Sequence, residues 1–218
     1  MGQYYKTVFI KKVRNGIRII GWLHGHHYHT SVNLGTQLGE KFVSAIEFQI
    51  SPDGTYPNGH RIVWAGDYSD NEKGSDINLN SMCTDDFILL FPVKDASEYR
   101  YIVNHSQKLF VDKENIEEYH PLPLLTCEGN GRGGGDYNGK DPQHLVGSWS
   151  RDMIAVTREP PEGYLEVYFD LTELNIEKEE PEDGYVSNDD YDDYDDYDDD
   201  DNNDCDDEEK EDSTNVSK

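Results

Sequence analysis

Apolar and polar residues alternate from Tyr4 to Lys11, a stretch rich in aromatic and β-branched side chains. Alternation places every second residue on one face of an extended chain, which is the mark of a half-buried strand. Ile17 to Leu23 is a second apolar, β-branched run, and Arg14-Asn15-Gly16 lies between the two. Asn-Gly favours a tight hairpin turn, so the N-terminal segment reads as a β-hairpin turning at Asn15-Gly16. The period then changes. Leu38, Phe42, Val43, Ala45, Ile46 and Ile50 recur at helical spacing, which predicts the principal helix over Leu38–Ile50. Ser51-Pro52-Asp53-Gly54 ends it, with Pro just beyond the last turn and Gly in the reversal. The apolar face of that helix needs a partner. Phe42 and Ile46 are expected to pack on hairpin residues such as Val8, Ile10 and Ile20.

Further along, His60–Ala65, Phe87–Val93, Tyr99–Val103 and Lys108–Val111 read as strands, the last two forming a second hairpin around Asn104–Gln107. Asp112–Tyr119 reads as one or two helical turns. Leu122–Cys127 is apolar but contains Pro123, which has no N–H for a strand ladder, so it reads as an edge strand at most. Leu145–Thr157 and Tyr164–Leu171 read as the last strands, split by Pro160-Pro161-Glu162-Gly163. No β-α-β alternation is present, which argues against a dinucleotide-binding type of fold. The fold class expected is α+β, a mostly antiparallel sheet with one principal helix, spanning residues 1–175 as a single domain.

Composition changes the picture only at the C-terminal end. Of 46 acidic and 19 basic residues, the segment 176–218 carries 22 and 3, a net of −19, against a net of −8 for the preceding residues. That segment includes Tyr191-Asp192-Asp193-Tyr194-Asp195-Asp196-Tyr197 and has too little apolar area to offset its ordering entropy, so it reads as a disordered Asp/Glu/Tyr-rich tail. A polyanion of this kind keeps a chain in solution, and it also imitates nucleic acid toward a basic protein surface. It repels nucleic acid itself, so direct nucleic-acid binding is not expected. The opening residues have no apolar core or small-residue cleavage pattern, and no run of 18 apolar residues occurs. The three cysteines are far apart and lack zinc-ligand spacing. The expectation is a soluble, cytoplasmic chain with no membrane association and no cofactor.

Three segments carry candidate chemistry. The first is Glu128-Gly129-Asn130-Gly131-Arg132-Gly133-Gly134-Gly135-Asp136-Tyr137. Its glycines admit close backbone approach to a ligand, and Arg132 offers a fork of donors to a phosphate or carboxylate. It lacks the Lys-Ser/Thr and following helix of a P-loop, and its other reading is a plain surface loop. The second is a pair, Trp64-Ala65-Gly66-Asp67 and Trp149-Ser150-Arg151-Asp152, each with Asp three residues after Trp. Asp67, Asp136 and Asp152 would share a ligand-binding rim with Arg132, with Trp64 and Trp149 as stacking walls. Taken singly, an Asp at a strand exit more often caps the backbone. The third is His24-Gly25-His26-His27-Tyr28-His29. In an extended segment His24 and His26 share a face, which gives incidental metal affinity but falls short of the three or four convergent ligands of a functional site, so no metal is assigned.

Four segments together resemble a family of uncharacterised bacteriophage and bacterial proteins. They are Met1-Gly2-Gln3-Tyr4-Tyr5-Lys6, Arg61-Ile62-Val63-Trp64-Ala65-Gly66-Asp67-Tyr68, Tyr101-Ile102-Val103-Asn104-His105, and Pro121-Leu122-Pro123-Leu124-Leu125-Thr126 leading into the Gly-rich segment. The resemblance implies a phage or viral context and action inside a host cell. It brings no catalytic residues with it, and it does not cover the tail. Two functions are therefore expected in competition. One is an interaction protein whose polyanionic tail engages a basic partner. The other is an enzyme or sponge for a small, nucleotide-like anion at the Gly-rich segment.

Overall fold

The computed structural model describes residues 4–29, 40–116, 119–129 and 145–168. All of them fall in the first of the two units into which the chain divides, Met1–Ile176 and Glu177–Lys218. Strands β1 (Tyr5–Val13) and β2 (Gly16–Leu23) form the N-terminal hairpin. Val13 pairs with Gly16, so the turn is Arg14-Asn15, one residue earlier than expected. Gly16 closes it at φ 142°, a conformation other residues rarely adopt. The register slips between Phe9 and Ile10, leaving Ile20 as an unopposed extra residue, a β-bulge that sharpens the twist.

Helix α1 spans Lys41–Gln49. Phe42, Val43, Ala45 and Ile46 are buried, as its spacing requires. It stops because Ser51 Oγ donates to the Phe48 carbonyl (2.8 Å) and accepts from Asp53 N, turning the chain away from the helix axis. Gly54 is needed in that reversal, since a Cβ there would lie 2.0 Å from the Phe48 oxygen.

Strand β3 (His60–Gly66) follows, then β4 (Tyr101–Asn104) and β5 (Leu109–Asp112), whose turn is held by Asn104 Oδ1 accepting from Ser106 N and Gln107 N. Asp112–Tyr119 was expected to hold one or two helical turns, and a 3-10 turn lies at Lys113–Asn115. The segment Leu122–Cys127 is not an edge strand. Pro121–Thr126 forms a second helix, α2, with every residue buried. Both prolines lie in its first turn, where the missing N–H groups would have no intrahelical partner, so the residues that weaken a strand are tolerated here. Strands β6 (Cys127–Glu128), β7 (Met153–Thr157) and β8 (Leu165–Glu166) complete the set. Phe87–Val93 is not a strand either. Ile88 makes a single parallel bridge to Trp22, and Pro92 removes a donor beyond it.

The eight strands make one sheet in the order β2-β1-β3-β7-β4-β5-β8, with β6 paired to β3. Pairing is antiparallel except for β3–β6 and β5–β8. The arrangement is thus a predominantly antiparallel sheet with one main helix. Side chains alternate across it. Tyr5, Phe9, Ile62, Trp64, Ile102 and Ile154 join α1 and α2 in the larger core. Val8, Ile10, Trp22, Val63 and Ala65 face the other way, onto Leu79 and Cys83. Phe42 and Ile46 therefore share a core with Phe9 and Ile20, while Val8 and Ile10 lie on the opposite face. The period of two decides this, because neighbours in a strand cannot share one face.

Candidate functional site

Two of the ionic clusters among the described residues are buried in this frame. The first arises where β3 changes partner. Its His60 and Arg61 pair with β7, while its Trp64 and Ala65 pair with β6. The Arg151 amide donates to the Ile62 carbonyl between these two stretches, which brings the Arg151 side chain beside Glu128 of β6. Arg151 Nε and Nη2 donate to Glu128 Oε1 and Oε2 at 2.5 and 2.7 Å. Arg151 Nη1 donates to Glu72 Oε2 at 3.0 Å, and Nη2 also bonds Glu72 Oε1. Ser150 Oγ adds a bond to Glu128 Oε1. Four of the five guanidinium N–H groups are engaged, two carboxylates face one cation, and all three side chains are largely buried. Such an arrangement ties three chain segments together. It has little capacity left for an added anion.

The second cluster opens onto a cavity of about 660 Å³ lined by Lys41, Ser44, Glu47, Val93, Lys94, Asp95, Ser97, Arg100, Lys113, Glu114 and His120. At its base lies Glu47, only 3% exposed although it belongs to α1. Glu47 Oε1 accepts from Lys113 Nζ at 2.6 Å and from His120 Nε2 at 3.2 Å. Burial works to raise the Glu47 pKa, but the His120 imidazole and the Lys113 ammonium outweigh it and hold the carboxyl below its ordinary value. The other ring nitrogen of His120, Nδ1, accepts the Leu122 amide at 3.1 Å and so caps α2. With Nδ1 accepting this amide and Nε2 against Glu47, neither ring nitrogen of His120 is free. The Glu47–His120 pair orients two helices and is not poised as a general base.

On the cavity wall, Arg100 is spent on Asp112 (2.8 Å and 2.5 Å) and on Glu114. Lys94 Nζ lies 4.1 Å over the Phe48 ring centre, and Asp95 Oδ1 accepts the Ser97 amide. The Lys41 side chain, in the first turn of α1, has no hydrogen bond or ion pair among the described residues.

The residues singled out from sequence are placed as follows. Trp64 is 2% exposed and Trp149 0%, so both are core side chains and present no stacking face. Asp67 Oδ1 accepts the Tyr4 amide. Asp152 Oδ2 accepts from Asn104 Nδ2 (2.9 Å) and Gln107 Nε2 (2.7 Å), pinning the β4–β5 turn. The β3–β7 register sets Asp152 near Ile62, five positions along β3 from Asp67, or roughly 16 Å in an extended chain. The two carboxylates thus serve separate parts of the sheet. Arg132 and Asp136 lie outside the described residues. The histidine run is not extended: Gly25–Tyr28 is a 3-10 turn, with His24 Nδ1 accepting the His26 amide. The His24 and His26 ring centres are 4.6 Å apart, and burial together with the neighbouring His26, Lys6 and His27 lowers the His24 pKa to about 4. Among the described residues no three His, Cys, Asp or Glu side chains converge so as to hold a metal ion. No described helix is long and apolar enough to cross a membrane.

The cavity residues carry no contiguous sequence signal. Glu47 and Lys113 are 66 positions apart. One local clue existed, in His120-Pro121, since a side-chain acceptor followed by Pro is a helix-start pattern. No protein-family model matches the chain, and neither a curated protein nor a solved structure matches it.

Proposed function

We propose that this chain is an interaction protein whose C-terminal segment, 176–218, is a disordered polyanion that engages a basic protein surface in competition with nucleic acid. The observation that carries the reading is the partition of charge, −19 over 43 residues against −8 over the 175 that precede them. Charge of one sign at that density raises the local concentration of a basic partner and is the electrostatic equivalent of a nucleic-acid strand. Tyrosines at regular spacing among the aspartates supply the flat faces that stacked bases would otherwise offer. Two features of the folded residues support the same reading. The ionisable groups at Arg151 and at Glu47 are spent on holding segments together, and Phe87 and Leu90 leave apolar side chains exposed beside the Trp22–Ile88 bridge. The sequence resemblance adds the expectation of a phage or viral protein working in the host cytoplasm.

The test is displacement of labelled duplex DNA from a linker histone, comparing the full chain with one ending before Ile176. The full chain is expected to release the DNA, with an efficiency that falls steeply as salt rises. Equal release by the shortened chain, or none by either, contradicts the proposal.

A further inference from the structure

We propose that the cavity beside α1 is a binding site for a small phosphate-bearing anion, held between the Lys41 and Lys94 ammonium groups with Ser44 and Ser97 as neutral donors.

Its size is the first support. A volume of about 660 Å³ lies within the range that encloses small organic ligands. Its charge is the second. Four of the chain's 19 Lys and Arg residues occur among the 11 that line it, in a chain whose formal charge is −27. Glu47, Asp95 and Glu114 line it as well, so the lining is net +1 against the charge of the whole molecule, and internal pairing accounts for two of the cations. Lys113 is matched by Glu47, and Arg100 by Asp112 and Glu114. Lys41 has no partner among the described residues, and Lys94 is placed over Phe48 rather than in an ion pair. Two ammonium groups that close no ion pair among the described residues, Lys94 being drawn only at longer range toward Asp53, suit a doubly charged head group better than a single carboxylate.

The remaining lining groups fit the same ligand. Ser44 is three positions after Lys41 and so shares its face of α1. Ser97 lies on the facing loop, where the bond from its amide to Asp95 fixes the backbone. Val93 provides an apolar wall for an organic body attached to the phosphate. Glu114 is 64% exposed in its contact with Arg100 and is free to swing into solvent, which would release one guanidinium nitrogen toward a second anionic oxygen. Beneath these groups the Glu47–Lys113–His120 arrangement is buried and saturated, so the floor of the pocket is fixed before a ligand arrives.

The experiment is a thermal-shift titration of the full chain at constant ionic strength, with inorganic phosphate, pyrophosphate and adenosine monophosphate as probes and chloride as the control. Pyrophosphate and the nucleotide are expected to raise the midpoint where chloride does not. The double variant Lys41→Gln/Lys94→Gln is expected to lose the shift, with affinity falling on the order of tenfold per lysine. Both side chains are exposed, so the variant should keep the wild-type midpoint without ligand. A third arm, Arg132→Ala, should retain the wild-type response. No shift with any probe, an equal shift with chloride, or a shift that survives the double variant and disappears in Arg132→Ala each overturns the proposal.

Discussion

The Arg151 cluster and the Glu47 cluster are both buried ion-pair systems, and they differ in what lies beside them. Around Arg151 two carboxylates close on one guanidinium. Around Glu47 one carboxylate is met by an ammonium and an imidazole, and the cavity above it holds two further lysines without carboxylate partners. The first arrangement joins β6, β7 and the Glu72 loop at the point where β3 changes neighbours. The second joins α1 to the start of α2 and leaves cations facing open space. A saturated cluster can serve only the fold, whereas one with surplus charge at a cavity has something left for a ligand.

Removing the cation from the closed cluster is the harshest way to break that contrast. Arg151→Met leaves Glu72 and Glu128 facing each other with little water, and the cost is expected to be about 3–5 kcal/mol, measured by denaturant unfolding. A loss below about 1 kcal/mol would show that the cluster is solvated and that its geometry has little structural weight. Arg151→Lys should recover only part of the loss, because an ammonium cannot reproduce the fork that meets two carboxylates.

A smaller effect is expected at the floor of the open cluster. Glu47→Gln keeps an acceptor for His120 and Lys113 but removes the charge, at a cost of about 1.5–3 kcal/mol. The acid dependence gives an independent check. Because the folded Glu47 carboxyl titrates below its ordinary value, its contribution is complete above the unfolded pKa and is lost as pH falls through the folded one. The wild type should therefore show an acid-dependent loss over that window which Glu47→Gln lacks. Identical pH profiles would place Glu47 outside the stabilising network. The smallest effect belongs to the cations on the wall. Lys41→Gln and Lys94→Gln should each change stability by no more than about 0.5 kcal/mol without ligand. A larger loss would mean that these lysines work for the fold as Arg151 does.

Much of the frame was legible from pattern alone, since the hairpin, α1, β3 and the β4–β5 hairpin each follow from local periodicity and turn chemistry. The misreadings have particular causes. Pro123 was weighed as a strand breaker, yet at the start of a helix its missing N–H is harmless, and His120 supplies the cap that makes the start. Phe87–Val93 is apolar enough for a strand but finds only one bridge to β2, leaving Leu90 exposed. Trp64 and Trp149 looked available because each precedes an Asp by three residues. Core packing took both rings, Asp67 accepts the Tyr4 amide at the end of the β1–β3 pairing, and Asp152 pins the β4–β5 turn. The cavity was invisible for a different reason. Lys41, Glu47, Lys94, Arg100, Lys113 and His120 come from five stretches of chain, and only the packing of α1 beside α2 and β5 assembles them. Charge in such a site is a tertiary property that no window of sequence contains.

The most direct measurement of the central claim is an amide NMR titration of the full chain with pyrophosphate at constant ionic strength. Saturable shifts are expected at Lys41, Ser44, Lys94 and Ser97, with the amides of Glu72, Glu128 and Arg151 unmoved. Shifts centred on Gly129 and Arg151, or small non-saturating shifts spread over the surface lysines, would contradict the assignment of the anion site to the open cluster.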